Sequence, residues 1–187
     1  MVEKSFESVL IEQCAPTLAG MKPANMFIFK SCGRRAVYAK ADCWSCRLEP
    51  YGIAVCILKE CGGSFLVYVY RKAWLDRIIK SPMISSFLTG LGYDTVSSGI
   101  ALTQLSDRLC LKKEFPHEIG IFLGYPFFDV LSFIENNGRN YVFCGYWKAY
   151  FNPSAARKRT DQYKKCAGIY KRMFESGTPI MRLVVAA

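Results

Sequence analysis

The sequence predicts an α+β fold: a single domain with a small, mostly antiparallel sheet packed by several helices, and a long basic C-terminal helix. Three observations lead to this prediction. Two β-rich runs, residues 53–58 and 65–70, flank a segment that contains Gly62 and Gly63, as in a hairpin. Most other segments repeat apolar side chains at helical spacing. The 187 residues, 51% of them hydrophobic, show no repeat or long linker, so we expect one domain over residues 1–187.

The first part of the chain alternates helices with the strands of the predicted sheet. An amphipathic helix begins after Ser5, a suitable N-cap, and stops at Pro16. Residues 26–29 are too few for a helix and predict a buried strand. A second helix over residues 34–48 leads into the hairpin at residues 53–70.

The part after the hairpin is predicted to be mostly helical. Helical patterns cover residues 73–80, 83–91, 99–112, 117–123 and 127–135. Pro116 and Pro126 stand where the last two of these helices begin. Residues 141–150 have the aromatic content of a strand, a long helix follows over residues 153–176, and residues 180–185 predict a closing strand.

The long helix carries the strongest physical signal in the sequence. Small and apolar side chains recur every three or four residues along it and predict one packed face. Two neighbouring rows are basic throughout: Arg157, Lys164 and Lys171, and beside them Lys158, Lys165 and Arg172. Residues seven positions apart on a helix lie ~10.5 Å apart. We therefore expect one face to pack on the domain while a neighbouring face presents six cations.

Nearly all the excess positive charge lies near the C-terminus. The chain has a net charge of +10, yet residues 139–182 contain ten basic and only two acidic residues. Crowded cations repel one another by about a few tenths of a kcal/mol per pair, and a polyanion or an acidic protein surface would relieve this cost. A merely solvated face is the alternative. A membrane surface fits poorly, because the apolar stripe is narrow.

The predicted contact is independent of base sequence, because the chain has no zinc-finger, bZIP or RNP motif. Arg139 and Lys148 could extend the basic surface. Tyr146 and Trp147 could stack on bases, although a packed position in the predicted strand is the alternative.

The cysteines and the N-terminus predict a cytoplasmic protein with free thiols. Nine scattered cysteines do not form the even, regularly spaced set of a secreted disulfide framework. The first residues lack the pattern of a signal peptide. The longest apolar tract, residues 119–134, is interrupted by glycine, proline and aspartate and is too short to span a bilayer.

An enzyme is not predicted. His117 is the only histidine, and the sequence contains no nucleophile elbow, P-loop or dinucleotide-binding motif. Cys43 and Cys46 form a C-x-x-C that Cys56 and Cys61 could complete as a zinc site, although the spacing differs from that of a zinc ribbon. We expect no cofactor and no small-molecule substrate. The alternative is a small metal- or thiol-dependent protein using Cys43, Cys46 and His117.

Three stretches carry a family resemblance: residues 11–20 (IEQCAPTLAG), 115–126 (FPHEIGIFLGYP) and 144–150 (CGYWKAY). They resemble a family of uncharacterised proteins of clostridia and other anaerobic Firmicutes. The chain is also similar to anti-CRISPR proteins of gut clostridia that inhibit Cas9. That similarity implies a non-enzymatic blocker of the Cas9–guide RNA complex that can also contact DNA. The leading hypothesis is therefore a basic helix that engages nucleic acid or a nucleoprotein such as Cas9.

Overall fold

A three-stranded antiparallel sheet lies at the centre of the computed structural model, which describes residues 4–111 and 115–186. Its strands are β1 (Ala24–Lys30), β2 (Ile53–Cys61) and β3 (Ser64–Arg71), and β3 lies in the middle. The turn between β2 and β3 is made by Gly62 and Gly63, both at positive φ, which glycine adopts without a steric penalty. The predicted α+β class and the predicted hairpin are confirmed.

Helices cover both faces of the sheet, because side chains alternate between the faces along each strand. One face of β3 presents Phe65, Val67 and Val69 to a core shared with α1 (Phe6–Leu18) and α2 (Arg34–Leu48). The other face presents Leu66, Tyr68 and Tyr70 to a second core. The helices that follow the hairpin are α3 (Lys72–Ile79), α4 (Pro82–Gly90), α5 (Ser98–Leu111), α6 (Ile119–Phe122) and α7 (Phe127–Glu135). No helix in residues 4–111 or 115–186 combines the length and apolarity needed to cross a membrane.

The last long helix, α8 (Pro153–Glu175), packs against α1 and against a short hairpin of β4 (Phe143–Cys144) and β5 (Lys148–Ala149). Gly145 in this hairpin lies so close to α8 that an added Cβ would clash with the Thr160 side chain. The hairpin and the helix therefore form one packed unit around a small aromatic core.

A buried arginine attaches the C-terminal segment to this framework. The Arg71 Nε donates to the carbonyl of Thr17 at 2.8 Å, and its Nη2 donates to the carbonyls of Leu18 and Val185 at 3.0 and 2.7 Å. Two of these carbonyls lie at the C-terminus of α1, where a cation is favoured by the helix dipole.

Four predicted elements differ from the structure. The first helix continues two residues past Pro16, although a proline there removes one backbone hydrogen bond, and the last residues of this helix are buried. Residues 141–150 form two two-residue strands rather than one strand, since the chain reverses around Gly145. Residues 180–185 begin with a 3-10 turn instead of a strand. The helix predicted over residues 117–123 is shorter in the structure, where only α6 is helical. The helix predicted over residues 99–112 corresponds to α5, and its predicted last residue, Lys112, lies outside the described residues.

Candidate nucleic-acid interface

Local signals at both ends define α8. The Asn152 side chain accepts a hydrogen bond from the Ala155 amide at 3.0 Å, and Pro153 occupies the first turn, where its missing N–H costs nothing. Gly177, at positive φ, follows the last turn. Of the apolar stripe that helical spacing predicts, Ala156, Thr160 and Tyr163 are buried, and the later members are half-buried: Ala167, Tyr170 and Phe174. Cys166, which is not part of that stripe, is buried as well.

Every basic side chain of α8 is exposed. These cations are Arg157, Lys158, Arg159, Lys164, Lys165, Lys171 and Arg172. The structure therefore brings the six cations of the two predicted rows onto one helix surface. Arg159 was missed because it belongs to neither row: the positions seven and fourteen residues later hold Cys166 and Met173.

Lys171 differs from the other cations of the helix, because the protein neutralises it. Its Nζ lies 2.9 Å from Glu12 Oε1 on α1 and 3.9 Å from Glu175 Oε1. The hydrogen bond to Glu12 raises the pKa of Lys171. Hydrogen bonds from Lys4 and Lys171 in turn lower the pKa of Glu12. We conclude that Lys171 contributes to the packing of α8 on α1.

The other cations of the two rows have no such partner. For Arg157, Lys158, Lys164, Lys165 and Arg172, no carboxylate within the described ranges lies within 4.0 Å of the charged nitrogens. These five residues form what we call the basic face. Asp161 lies between the two rows, three or four residues from four of these cations, and lines a shallow groove with Arg157, Lys158 and Lys165. Within the described ranges its carboxylate is not within 4.0 Å of any of their charged nitrogens. The Arg157 guanidinium lies 4.8 Å above the Phe143 ring, a contact that orients the charge without cancelling it.

The two cations predicted to extend this surface differ from each other. Arg139 is exposed in the turn that follows α7. Lys148 is half-buried: its Nζ donates to the carbonyl of Gly138 at 2.8 Å and lies 4.8 Å above the Tyr141 ring. Lys148 therefore belongs to the wall of a cavity, described below, rather than to the basic face.

The predicted stacking residues pack against other aromatic side chains, Trp147 being buried and Tyr146 half-buried. Trp147 is only 9% exposed, stacks on Tyr125 at a centroid distance of 5.6 Å, and donates through Nε1 to Asp129 at 2.7 Å. Tyr146 packs edge-on against Tyr163 at 5.2 Å. These contacts favour the alternative of a packed position over stacking on bases.

Two other aromatic side chains are exposed near the start of α8. Phe128 and Phe151 are 57% and 67% exposed, and their ring centroids lie 6.4 Å apart. They border a cleft of about 610 Å³ whose wall also includes Arg159 and the first turn of α8. Sequence reasoning missed this pair because apolar side chains were assigned to the core, and only the folded chain places both rings at the surface.

The thiols do not assemble into a recognisable site. All nine cysteines are free, and Cys43 and Cys46 are exposed on α2. Cys56 lies in β2, where burial raises the pKa of its thiol to about 12. Across the part of the chain that the structure describes, no group of three or more His, Cys, Asp or Glu residues could hold a metal ion. His117 packs instead against the Phe133 ring at a centroid distance of 5.1 Å.

Comparison with known proteins assigns the chain to a family without assigning an activity. No curated protein and no solved structure gives a significant match. The family model that describes proteins of unknown function under the name DUF3793 matches residues 10–184, which is nearly the whole chain. This match confirms that the chain belongs to an uncharacterised family, as the sequence indicated: the chain is a member of the DUF3793 family of proteins of unknown function.

Proposed function

We propose that this protein is a non-enzymatic interaction protein whose basic face binds nucleic acid or a nucleoprotein, most concretely the Cas9–guide RNA complex as an anti-CRISPR inhibitor. One observation carries the proposal: the five exposed cations of the basic face have no carboxylate partner within 4.0 Å in the described ranges, and neither has Arg159. Like charges held on one helix repel one another, and a row of phosphates would remove that repulsion.

The dimensions of the basic face suit a nucleic-acid strand. Lys158, Lys165 and Arg172 are seven residues apart on a 23-residue helix and span ~21 Å. Along a duplex, one strand places a phosphate about every 3.4 Å of the axis, so this row lies alongside about six nucleotide steps. Contacts of this kind read the phosphate backbone and carry no sequence information.

The exposed aromatic pair extends the interface toward the start of the helix. Phe128 and Phe151 offer ring faces or edges to an unpaired base, and Arg159 in the same cleft offers a charge to its phosphate. Aromatic rings beside a cationic groove are typical of proteins that bind single strands without sequence preference. Both guide RNA and displaced DNA strands in a Cas9 complex present such unpaired segments.

The resemblance to Cas9-inhibiting proteins supports the choice of the Cas9–guide RNA complex as the partner. The positive charge of the basic face supports binding to an anionic surface of that complex. A basic face can bind guide RNA, bound DNA or an acidic protein surface of the complex. No covalent step is required, because occupancy alone would block access of target DNA. We therefore treat Cas9 with guide RNA as the first partner to test, and free nucleic acid as the second.

The test measures both partners in parallel with purified components. Fluorescence anisotropy gives the affinity for free single-stranded DNA, duplex DNA and RNA. A cleavage assay with reconstituted Cas9 and guide RNA gives inhibition as a function of added protein. We expect saturable binding to at least one nucleic acid and a dose-dependent loss of cleavage. Binding without loss of cleavage would reject the Cas9 proposal alone, and absence of both would reject the interface.

A further inference from the structure

A second site is formed by the motif segments that the basic face does not use. A cavity of about 400 Å³ opens between β1, the segment containing α6 and α7, and the β4–β5 hairpin. Its walls contain His117 and Tyr125 from one motif and residues 144–148 from another, together with Phe133 from α7. This volume lies within the range of about 300–1,000 Å³ that small-molecule sites occupy.

The aromatic walls of the cavity are held in place by packing and by a buried hydrogen bond. Tyr125 and Trp147 stack on each other, with their ring planes inclined at 24°. The Trp147 indole is fixed by its bond to the buried Asp129. Elsewhere in the lining, a Cβ added at Gly120 would lie 2.9 Å from a methyl of Val130, so this part of the wall is tightly packed. The cavity is therefore largely preformed, and binding would cost little reorganisation.

One side of the cavity, around the Phe133 ring, carries a lysine and the only histidine of the sequence. The Lys148 Nζ lies 5.6 Å from the Phe133 centroid, and the His117 ring centroid lies 5.1 Å from it. Lys148 uses one of its three N–H groups on the carbonyl of Gly138. No carboxylate in the described residues lies within 4.0 Å of its ammonium group.

The acidic residue of the wall does not neutralise this charge. Both carboxylate oxygens of Asp129 are engaged: Oδ2 accepts from Trp147 Nε1 at 2.7 Å, and Oδ1 accepts from the Tyr150 amide at 2.8 Å. Asp129 thus acts as a structural acceptor within the wall. The cavity combines aromatic surfaces with an ammonium group that retains free donors.

We propose that this cavity binds a small planar aromatic carboxylate of one or two rings. The ring of the ligand would lie against the aromatic wall formed by Tyr125 and Trp147, where flat surfaces pack in offset stacks. Its carboxylate would accept a charge-assisted hydrogen bond from Lys148, with His117 beside it as a second polar group. This site uses no residue of the basic face, and its lining shares Asp129 and Trp147 with the cleft at Phe128 and Phe151.

Three probes on the unmodified full-length protein test the chemistry directly. Isothermal titration calorimetry is run with indole-3-acetate, with its neutral amide indole-3-acetamide, and with octanoate, an aliphatic anion. We expect indole-3-acetate to bind at least about tenfold more tightly than either comparison compound, because only it offers both a ring and a charge. Equal binding of the amide would overturn the role of the charge. Equal binding of octanoate would overturn the aromatic class, and no binding by indole-3-acetate would overturn the site.

Two variants then locate the site within the molecule. Lys148→Met should remove the preference for indole-3-acetate over its amide, whereas Lys148→Arg should retain it. Lys80→Met serves as the control, because this exposed lysine lies at the end of α3 and is not part of the cavity. If Lys148→Met does not fold, the comparison of indole-3-acetate with its amide on the unmodified protein still tests whether binding depends on the carboxylate. An unchanged preference in folded Lys148→Met would overturn the proposed contact.

Discussion

Removing one row of the basic face tests the proposed interface without disturbing the fold. The triple variant Lys158→Gln, Lys165→Gln and Arg172→Gln replaces three exposed side chains that make no ion pair within the described ranges. Surface changes of this kind alter the free energy of unfolding by no more than about 0.5 kcal/mol. Lys171 is left unchanged, because its contact with Glu12 joins α8 to α1.

The expected loss of binding follows from the number of cations. For duplex DNA, log K falls with log salt concentration at about −0.9 per neutralised phosphate, so the five cations of the basic face predict a slope of about −4.5. The two cations that the triple variant retains predict about −1.8. Between about 50 and 200 mM salt, the affinity should fall about 500-fold for the unmodified protein and about 12-fold for the variant.

A matched variant separates the position of the charges from their number. Lys30→Gln, Arg35→Gln and Arg77→Gln remove the same three charges from exposed positions outside α8 that are likewise free of ion pairs within residues 4–111 and 115–186. Anisotropy titrations with a short labelled duplex give the salt slope of all three proteins. The control should keep a slope near that of the unmodified protein. Equal slopes for the two triple variants would refute the assignment, since only total charge would then matter.

Three further predictions concern the aromatic pair, the cavity wall and a buried lysine. Phe128→Ala and Phe151→Ala should each weaken binding of single-stranded DNA about fivefold or more, without lowering Tm; a parallel loss for duplex DNA would argue against stacking. Asp129→Ala leaves the Trp147 indole and a backbone amide without an acceptor, so urea titration should show about 2–6 kcal/mol lower stability, with a smaller loss for Asp129→Asn. Burial lowers the pKa of Lys22 to about 7 from 10.5. Between about pH 7 and 10.5, the Lys22 side chain therefore binds more protons in the unfolded chain than in the folded protein. In this range the free energy of unfolding of the unmodified protein, relative to that of Lys22→Met, should rise by up to about 1.4 kcal/mol per pH unit. A difference that is constant with pH would contradict this.

The elements that sequence predicted well are those fixed by local signals. The bounds of α2 and α7 agree with their predicted ranges, and α8 begins and ends at its proline and glycine signals. The basic rows were predictable for the same reason, because helical spacing alone decides which side chains share a face.

The features that sequence missed depend on contacts between distant segments. Nothing in the sequence near Lys171 indicates its pairing with Glu12, which requires α8 to pack on α1. The division of residues 141–150 into two short strands depends on the close approach of Gly145 to Thr160. The cavity likewise exists only because two motifs separated along the chain meet at Trp147 and Tyr125.

Lysine footprinting tests the basic face most directly. The protein is acetylated briefly with and without a saturating single-stranded DNA or Cas9–guide RNA complex, and the modified sites are quantified by mass spectrometry. We predict that Lys158, Lys164 and Lys165 become protected while the exposed Lys30 and Lys80 react as before. Unchanged reactivity along α8, with protection elsewhere or nowhere, would contradict the assignment of this helix as the binding surface.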